Sequence, residues 1–238
     1  MRILAISLDL DDTLWPIAPA MARAEQRLHD WLEANCPHAA RAYPIPEMRA
    51  LRDRVAGENP HLAHDFSAQR RLSLRAALSP HGYGDEHVEA AFAAFYAARN
   101  EVECYDDALP ALARLAARFP LVSLTNGNAD LARIGLARFF QFSICARDFG
   151  VAKPAPEIFH AACERLGLPP GSVLHVGDDA VLDVAGARAA GLRTAWINRT
   201  GAAWLDAEIP DVVATDLGEL ADTLEAFVVN ATPANALA

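Results

Sequence analysis

An α/β fold, built as an open parallel sheet interrupted by an all-helical insertion, is what the sequence predicts from three observations. Short apolar runs bounded by Gly, Pro, Asp or Asn recur at 3–8, 121–125, 142–145, 172–177 and 193–197 without clean alternation, as strands buried on both faces read. Segments of helical period fill the gaps between the later runs, at 107–118, 129–140, 156–166 and 181–190. Residues 15–104, by contrast, carry helical period throughout and no strand signal. The chain has 238 residues, enough for one large domain or a core with an insertion, and 53% apolar against 22% charged residues supports a buried core rather than long disorder.

Taken in order, the first strand runs straight into Asp9. In the insertion, Met21, Ala24, Leu28, Trp31 and Asn35 repeat at three and four, as do Met48, Leu51 and Val55, and again Val88, Phe92, Phe95 and Arg99. Turn signals at Pro37, Pro44-Ile45-Pro46, Asn59-Pro60 and 79–82 divide the segment into about four helices. The insertion starts at the carboxyl end of the first strand, which is where open sheets bind ligands. Further on, Pro156 fits the first turn of a helix, while Gly167 and Gly191 fit the residue just past a helix end. A last strand at 211–214 and a helix over 216–228 precede a tail, 231–238, that carries no chemistry.

Composition excludes some partners. Lys plus Arg is 21 against 31 for Asp plus Glu, a formal charge of -10, which argues against a nucleic-acid or anionic-membrane surface. An anionic substrate then needs a local cation or a metal ion. No apolar run approaches the ~20 residues that span a bilayer, and the start of the chain lacks the features of a secretory signal. The four cysteines, 36, 104, 145 and 163, form no CxxC pair and read as reduced thiols. A cytoplasmic protein is expected, with Asn198-Arg199-Thr200 and Asn230-Ala231-Thr232 as chance sequons.

Four segments at strand ends carry the chemistry. Asp9 and Asp11, two apart on an extended chain, can face one point, and two carboxylates that close need a cation between them or one retained proton. The pair reads as a Mg²⁺ site, an acid/base pair, a nucleophile beside its acid, or simply a solvated acidic turn. Thr125-Asn126-Gly127-Asn128 offers a hydroxyl and free N–H groups to phosphate oxygens, or an ordinary turn with Asn128 as N-cap. Lys153, followed by Pro154 and Pro156, supplies a fixed positive charge to an anion or is a solvated loop lysine. Gly177-Asp178-Asp179 with Asp183 suits a hard cation, or an acidic helix start. In a parallel sheet all four ends lie along one edge, and their sum is a phosphoryl-transfer site.

With these motifs in view the sequence resembles the haloacid dehalogenase (HAD) superfamily: Asp9-x-Asp11-x-Thr13, Thr125, Lys153, and Gly177-Asp178-Asp179-x-x-x-Asp183 match its four ordered motifs. The resemblance covers about 3–228 and implies a Rossmann-like, doubly wound core (1–14 and 105–230) with a helical C1 cap (15–104). It further implies a Mg²⁺-dependent phosphatase in which Asp9 is the nucleophile and Asp11 the acid/base. Mg²⁺ is then held by Asp9, the Asp11 carbonyl and Asp178, with Asp183 and Asp179 supporting from outside. Thr125, Asn126, Gly127 and Lys153 bind the phosphoryl group, and a cap that opens and closes gates the site.

Within that branch the motifs are similar to bacterial phosphatases acting on FMN and on 5-amino-6-(5-phospho-D-ribitylamino)uracil. The alternatives are a broad sugar-phosphate or nucleotide phosphatase, a phosphate-responsive signalling or binding module, and a 2-haloacid dehalogenase; Asp11 and the acidic fourth motif speak against the last. The partner expected is a small phosphate ester, and the chain a monomer or homodimer.

Weaker features complete the reading. Trp15 is expected to neighbour the substrate, and Trp31 to pack in the core. His61 and His64 read as solvent-exposed, Arg70 and Arg71 as either substrate contacts or a solvated helix face, and His175 as a packing residue in a buried strand.

Overall fold

The structure, a computed structural model, describes residues 3–205 and 209–230; the expected tail, 231–238, lies outside them. Six strands, β1 (Ala5–Leu8), β2 (Leu121–Thr125), β3 (Ser143–Cys145), β4 (Val173–Gly177), β5 (Arg193–Ile197) and β6 (Val212–Ala214), form one sheet in the order β3-β2-β1-β4-β5-β6. Every neighbouring pair is parallel. The chain winds outward from β1 through β2 to β3, then crosses back to β4 on the other side of β1. That reversal creates a crevice at the carboxyl ends of the central strands.

The absence of clean alternation has a direct cause. All residues of β1, β2 and β4 are buried, because helices cover both faces of the sheet. Successive side chains serve opposite faces: Leu121 joins the cluster of Ile6, Leu8, Leu112, Leu174 and Leu217, whereas Val122 and Leu124 join Ile158, Phe159 and Val173.

After β1, residues 17–99 form five α-helices, α1 (Ile17–Asn35), α2 (Pro37–Ala42), α3 (Ile45–Glu58), α4 (Phe66–Leu78) and α5 (Asp85–Arg99), built around their own apolar cluster of Leu28, Leu51, Leu74, Val88 and Phe95. Trp31 packs against that cluster, partly buried. The sequence suggests about four helices because Pro37 reads as a turn; it opens the short α2 instead, in the first turn, where a missing N–H costs nothing.

The core helices are α6 (Ala108–Ala116), α7 (Leu131–Ile134), α8 (Ala146–Phe149), α9 (Pro156–Leu166), α10 (Gly186–Ala189) and α11 (Leu217–Asn230). The single helix expected over 129–140 is broken. Asp130 caps α7 by accepting from the N–H groups of Ala132 and Arg133, and Gly135 ends it in the left-handed region at φ 85° before a 3₁₀ turn at Ala137–Phe139. The helix expected over 181–190 opens as a wide π-type turn, Ala180–Ala185, before α10. Such turns are frequent at functional sites, and this one carries the buried Asp183. Among the described residues no helix is long and apolar enough to cross a membrane.

The start of α10 packs against the Lys153 loop with no room to spare. A Cβ on Gly186 would lie 2.8 Å from the Pro154 Cβ, 2.9 Å from its Cα and 3.1 Å from the Phe159 ring. Gly186→Ala should therefore destabilise the protein by about 1–3 kcal/mol in urea denaturation, the usual range for overpacking. Wild-type stability in that variant would show that the loop can yield.

Candidate active site

The four sequence segments converge at the strand ends. Asp9 continues β1, its N–H donating to the Val176 carbonyl at 2.9 Å, so the register that pairs β1 with β2 and β4 also places Asp9 between their ends. Immediately after Asp11 the chain turns sharply. Asp12 adopts φ 59°, a conformation Asp tolerates better than most residues, and its carboxylate accepts from the N–H of Ile17 at the head of α1 at 3.0 Å.

At the centre lies the Lys153 ammonium. It donates to Asp9 Oδ1 at 2.6 Å and to Asp183 Oδ1 at 2.5 Å, and all three side chains are buried. Its loop is fixed by Asn126, whose side-chain amide donates to the Lys153 carbonyl and accepts from the Lys153 N–H at 2.9 and 2.8 Å. The expected packing role of His175 is what the structure displays, with an addition: edge-on to Phe159, it places Nδ1 2.8 Å from the Ser7 hydroxyl and Nε2 3.1 Å from Asp183 Oδ1. Asp183 also accepts from the Asp179 N–H at 3.1 Å. A Cβ on Gly177 would lie 2.2 Å from the Asp183 carboxyl carbon, so only glycine lets this side chain in.

Electrostatics follow from the burial. Burial drives the Lys153 ammonium toward its neutral form, but the Asp183 and Asp9 carboxylates outweigh that and hold its pKa above the ordinary value. Burial likewise opposes ionisation of Asp183, and is overcome by Lys153 and His175, which hold it well below the usual carboxylate range. Asp9 is displaced the other way: burial outweighs the help of Lys153, with Asp183 adding repulsion. Burial pulls His175 down toward neutral imidazole. Burial and the Asp183 charge push Asp178 up to about 7, against a hydrogen bond from the Thr13 hydroxyl at 3.0 Å.

Carboxylate oxygens of Asp9, Asp178 and Asp183 lie within 4.8 Å of one another. An all-oxygen, net anionic donor set of this kind fits a hard divalent cation, and the raised Asp178 pKa is the mark of negative charge in need of one. Asp179, expected to support the metal, turns its side chain elsewhere: the exposed carboxylate caps the π turn by accepting from the Val181 and Leu182 N–H groups, both at 2.8 Å.

Asp11 stands outside this cluster. The Trp15 indole donates to its Oδ1 at 2.8 Å, and Arg99 Nη2 reaches its Oδ1 and Oδ2 at 2.8 and 2.7 Å. This corrects the expectation for Trp15, which is fully buried in the core cluster and is not among the residues lining the cavity; it holds Asp11. Arg99 is the residue that sequence reading misses. It ends α5, is 2% exposed, and also donates from Nε to Asn128 Oδ1 at 3.2 Å. In the sequence it is one more member of a helical repeat, and only its cationic character at an otherwise apolar position hints at a partner. Thr125 is buried with its hydroxyl accepting from the Gly127 N–H at 2.9 Å, and a Cβ on Gly127 would meet Asp11 Oδ2 at 2.3 Å.

A cavity of about 550 Å³ joins the two halves of the molecule. Asp9, Asp11, Thr125, Lys153, Asp178 and Asp183 line it from the sheet side, and Arg52, Phe66, Arg70, Phe95 and Arg99 from the helices between β1 and β2. Of the expected alternatives for the arginine pair, Arg70 takes the cavity, whereas Arg71 ion-pairs with Glu89 at 3.0 Å and stacks on Phe92. His61 is exposed and His64 half-buried, and neither joins a metal-binding group among the described residues.

Residues 3–191 match the family described as haloacid dehalogenase-like hydrolase. The chain belongs to that family. It is 34% identical over 200 residues to the 5-amino-6-(5-phospho-D-ribitylamino)uracil phosphatase YigB of Escherichia coli K12, covering 82% of this chain and 84% of that protein. It is 32% identical over 250 residues to a phosphoserine phosphatase of Thermus thermophilus, covering 90% and 96%. A crystal structure described as a 2-haloacid dehalogenase from Pseudomonas syringae pv. Tomato DC3000 superposes with a TM-score of 0.89 at 37% identity over 95% of this chain and all of that one. The expected fold, a Rossmann-like α/β core with a helical cap, is thus the family fold, and the chain is a hydrolase whose curated relatives include phosphoric monoester hydrolases.

The raised Asp178 pKa has a testable sign. The folded protein keeps a proton on Asp178 up to about pH 7, whereas the unfolded chain releases it near the ordinary value of 3.8. Between these limits the unfolded state binds fewer protons, so this group's contribution to stability falls as pH rises, then levels off. In EDTA, Asp178→Asn should reduce the downward slope of stability over that window by up to about 1.4 kcal/mol per pH unit. An unchanged slope in chemical denaturation across pH would contradict the assignment.

Proposed function

We propose that the protein is a Mg²⁺-dependent phosphatase that hydrolyses a small-molecule phosphate monoester through an aspartyl-phosphate intermediate. The observation that carries the reading is the buried Asp9–Lys153–Asp183 array with Asp178 beside it, opening onto a cavity that Asp11 also lines. Asp9, its second oxygen left outside the Lys153 contact, attacks phosphorus as the bond to the leaving alkoxide breaks. Asp11, held by Trp15 and Arg99, delivers a proton to that alkoxide and then takes one from the water that cleaves the aspartyl phosphate. Lys153, Thr125 and the N–H groups around Asn126 and Gly127 hold the phosphoryl oxygens during both transfers. Mg²⁺, held by Asp9, Asp178 and the Asp11 carbonyl with Asp183 behind them, supplies positive charge that keeps the carboxylates ionised and offsets the charge of the phosphoryl group.

The ester is a small metabolite rather than nucleic acid or lipid, consistent with the formal charge of -10. The E. coli relative supports 5-amino-6-(5-phospho-D-ribitylamino)uracil, a riboflavin precursor, or FMN, and the Thermus relative supports phosphoserine. We place the enzyme in the cytoplasm, as a monomer or homodimer. A second reading, 2-haloacid dehalogenase, is favoured by the Pseudomonas structure, but the carboxylate at position 11 and the acidic Asp178 site serve proton transfer and a cation, which a halide displacement does not require.

Phosphate release from a panel holding these esters, sugar phosphates and nucleotides, with Mg²⁺ and with EDTA, tests the proposal. Mg²⁺-dependent release is expected, and Asp9→Asn should lose it by at least about a thousandfold, as removal of a nucleophile does. Chloride release from 2-haloacids without phosphate release, or full turnover by Asp9→Asn, would refute it.

A further inference from the structure

The helices that close the cavity contain a cation that donates no side-chain hydrogen bond to the described residues. Arg70 on α4 is 4% exposed, and its guanidinium makes no hydrogen bond and no ion pair among the described residues. Its face lies 4.0 Å from the centroid of the Phe95 ring, which favours a cation but satisfies none of its N–H donors. The acids nearby are already taken. Glu25 pairs with Arg49 at 2.5 Å and lies 3.6 Å from Arg52, and Asp53 pairs with Arg52 at 2.7 Å. Three guanidiniums therefore share two carboxylates, and Arg70 is the one they attract without an ion pair. Burial and the Arg52 charge draw its pKa down to about 10, so it is still charged at neutral pH.

No Arg70 nitrogen is among the buried side-chain atoms left without a partner, so its donors open onto the cavity, where a ligand can take up a charge that no ion pair satisfies. The other buried arginine at this cavity, Arg99, gives Nη2 to Asp11 and Nε to Asn128, while its Nη1 is buried without a hydrogen-bond partner. Arg70 lines the same cavity as Asp9 but from the helical side. A planar guanidinium fork matches the paired oxygens of a carboxylate or a phosphate.

We infer that Arg70 is the specificity-determining residue of the site, binding a second oxyanion, a carboxylate or a second phosphate, at the far end of the ester from the phosphoryl group held by Lys153. The inference rests on the phosphatase reading and narrows it: phosphoserine carries such a group, whereas FMN and the ribitylaminouracil phosphate do not.

Calorimetric binding to Asp9→Asn in Mg²⁺ tests this without turnover. Glycerol 3-phosphate against 3-phosphoglycerate isolates a carboxylate, and ribulose 5-phosphate against ribulose 1,5-bisphosphate isolates a second phosphate at longer reach. The doubly anionic member of at least one pair should bind at least about tenfold tighter, and adding Arg70→Met should bring that ratio close to one. Should Arg70→Met not fold, Arg70→Gln, which keeps a donor without the charge, decides by the same ratio. Equal binding within both pairs, or a ratio that survives loss of the charge, overturns the inference. The expected binding pattern with no phosphate release by the wild-type enzyme would leave Arg70 assigned and defeat the phosphatase reading instead.

Discussion

Two carboxylates occupy one buried pocket in this protein only because the Lys153 ammonium lies between them. Asp9 and Asp183 each lie within hydrogen-bond distance of Nζ, whose charge opposes the cost of burying them. Much of the surrounding structure serves that arrangement. Asn126 fixes the Lys153 backbone, Gly177 leaves space for the Asp183 carboxyl, His175 and the Asp179 N–H occupy its other contacts, and the π turn carries it. The array comes from three strand ends and one loop, so it exists only when the parallel sheet is in register.

A second set of contacts ties the helices between β1 and β2 to the same centre. Arg99, the last residue of α5, reaches both oxygens of Asp11, and Trp15, just before α1, reaches one of them. Both chain crossings between the two halves thus end on one carboxylate. Asn128 extends the link, accepting from Arg99 and donating to the Ser67 hydroxyl of α4 at 3.1 Å. Asp11, the residue proposed to move protons, is thereby tied to both halves of the molecule.

The strands and their order of burial are legible in the sequence because each is a short apolar run closed by Gly, Asp or Asn, and Asp9, Lys153 and Asp178 are legible because they stand at those ends. Their meeting depends on parallel pairing, which the helical segments between runs imply. What was not legible is long-range and polar. Nothing local marks Arg99 as the partner of a residue 88 positions away, and Trp15 beside a motif invites a substrate role that its indole N–H, given to Asp11, leaves no room for. Asp179 looks like its neighbour Asp178, but a cap one residue later in the turn uses its oxygen. Arg70 and Arg71 are indistinguishable in sequence; their two sides of α4 separate them.

The Lys153 charge makes the pocket stable, and this can be read from the stability of Lys153→Met across pH in EDTA. With the ammonium gone, two facing carboxylates repel each other when ionised, so the variant should lose about 3–5 kcal/mol relative to wild type at pH 8 and recover much of that at pH 5, where protons replace the missing charge. A variant as stable as wild type at pH 8, or one whose loss does not diminish on acidification, would contradict the account.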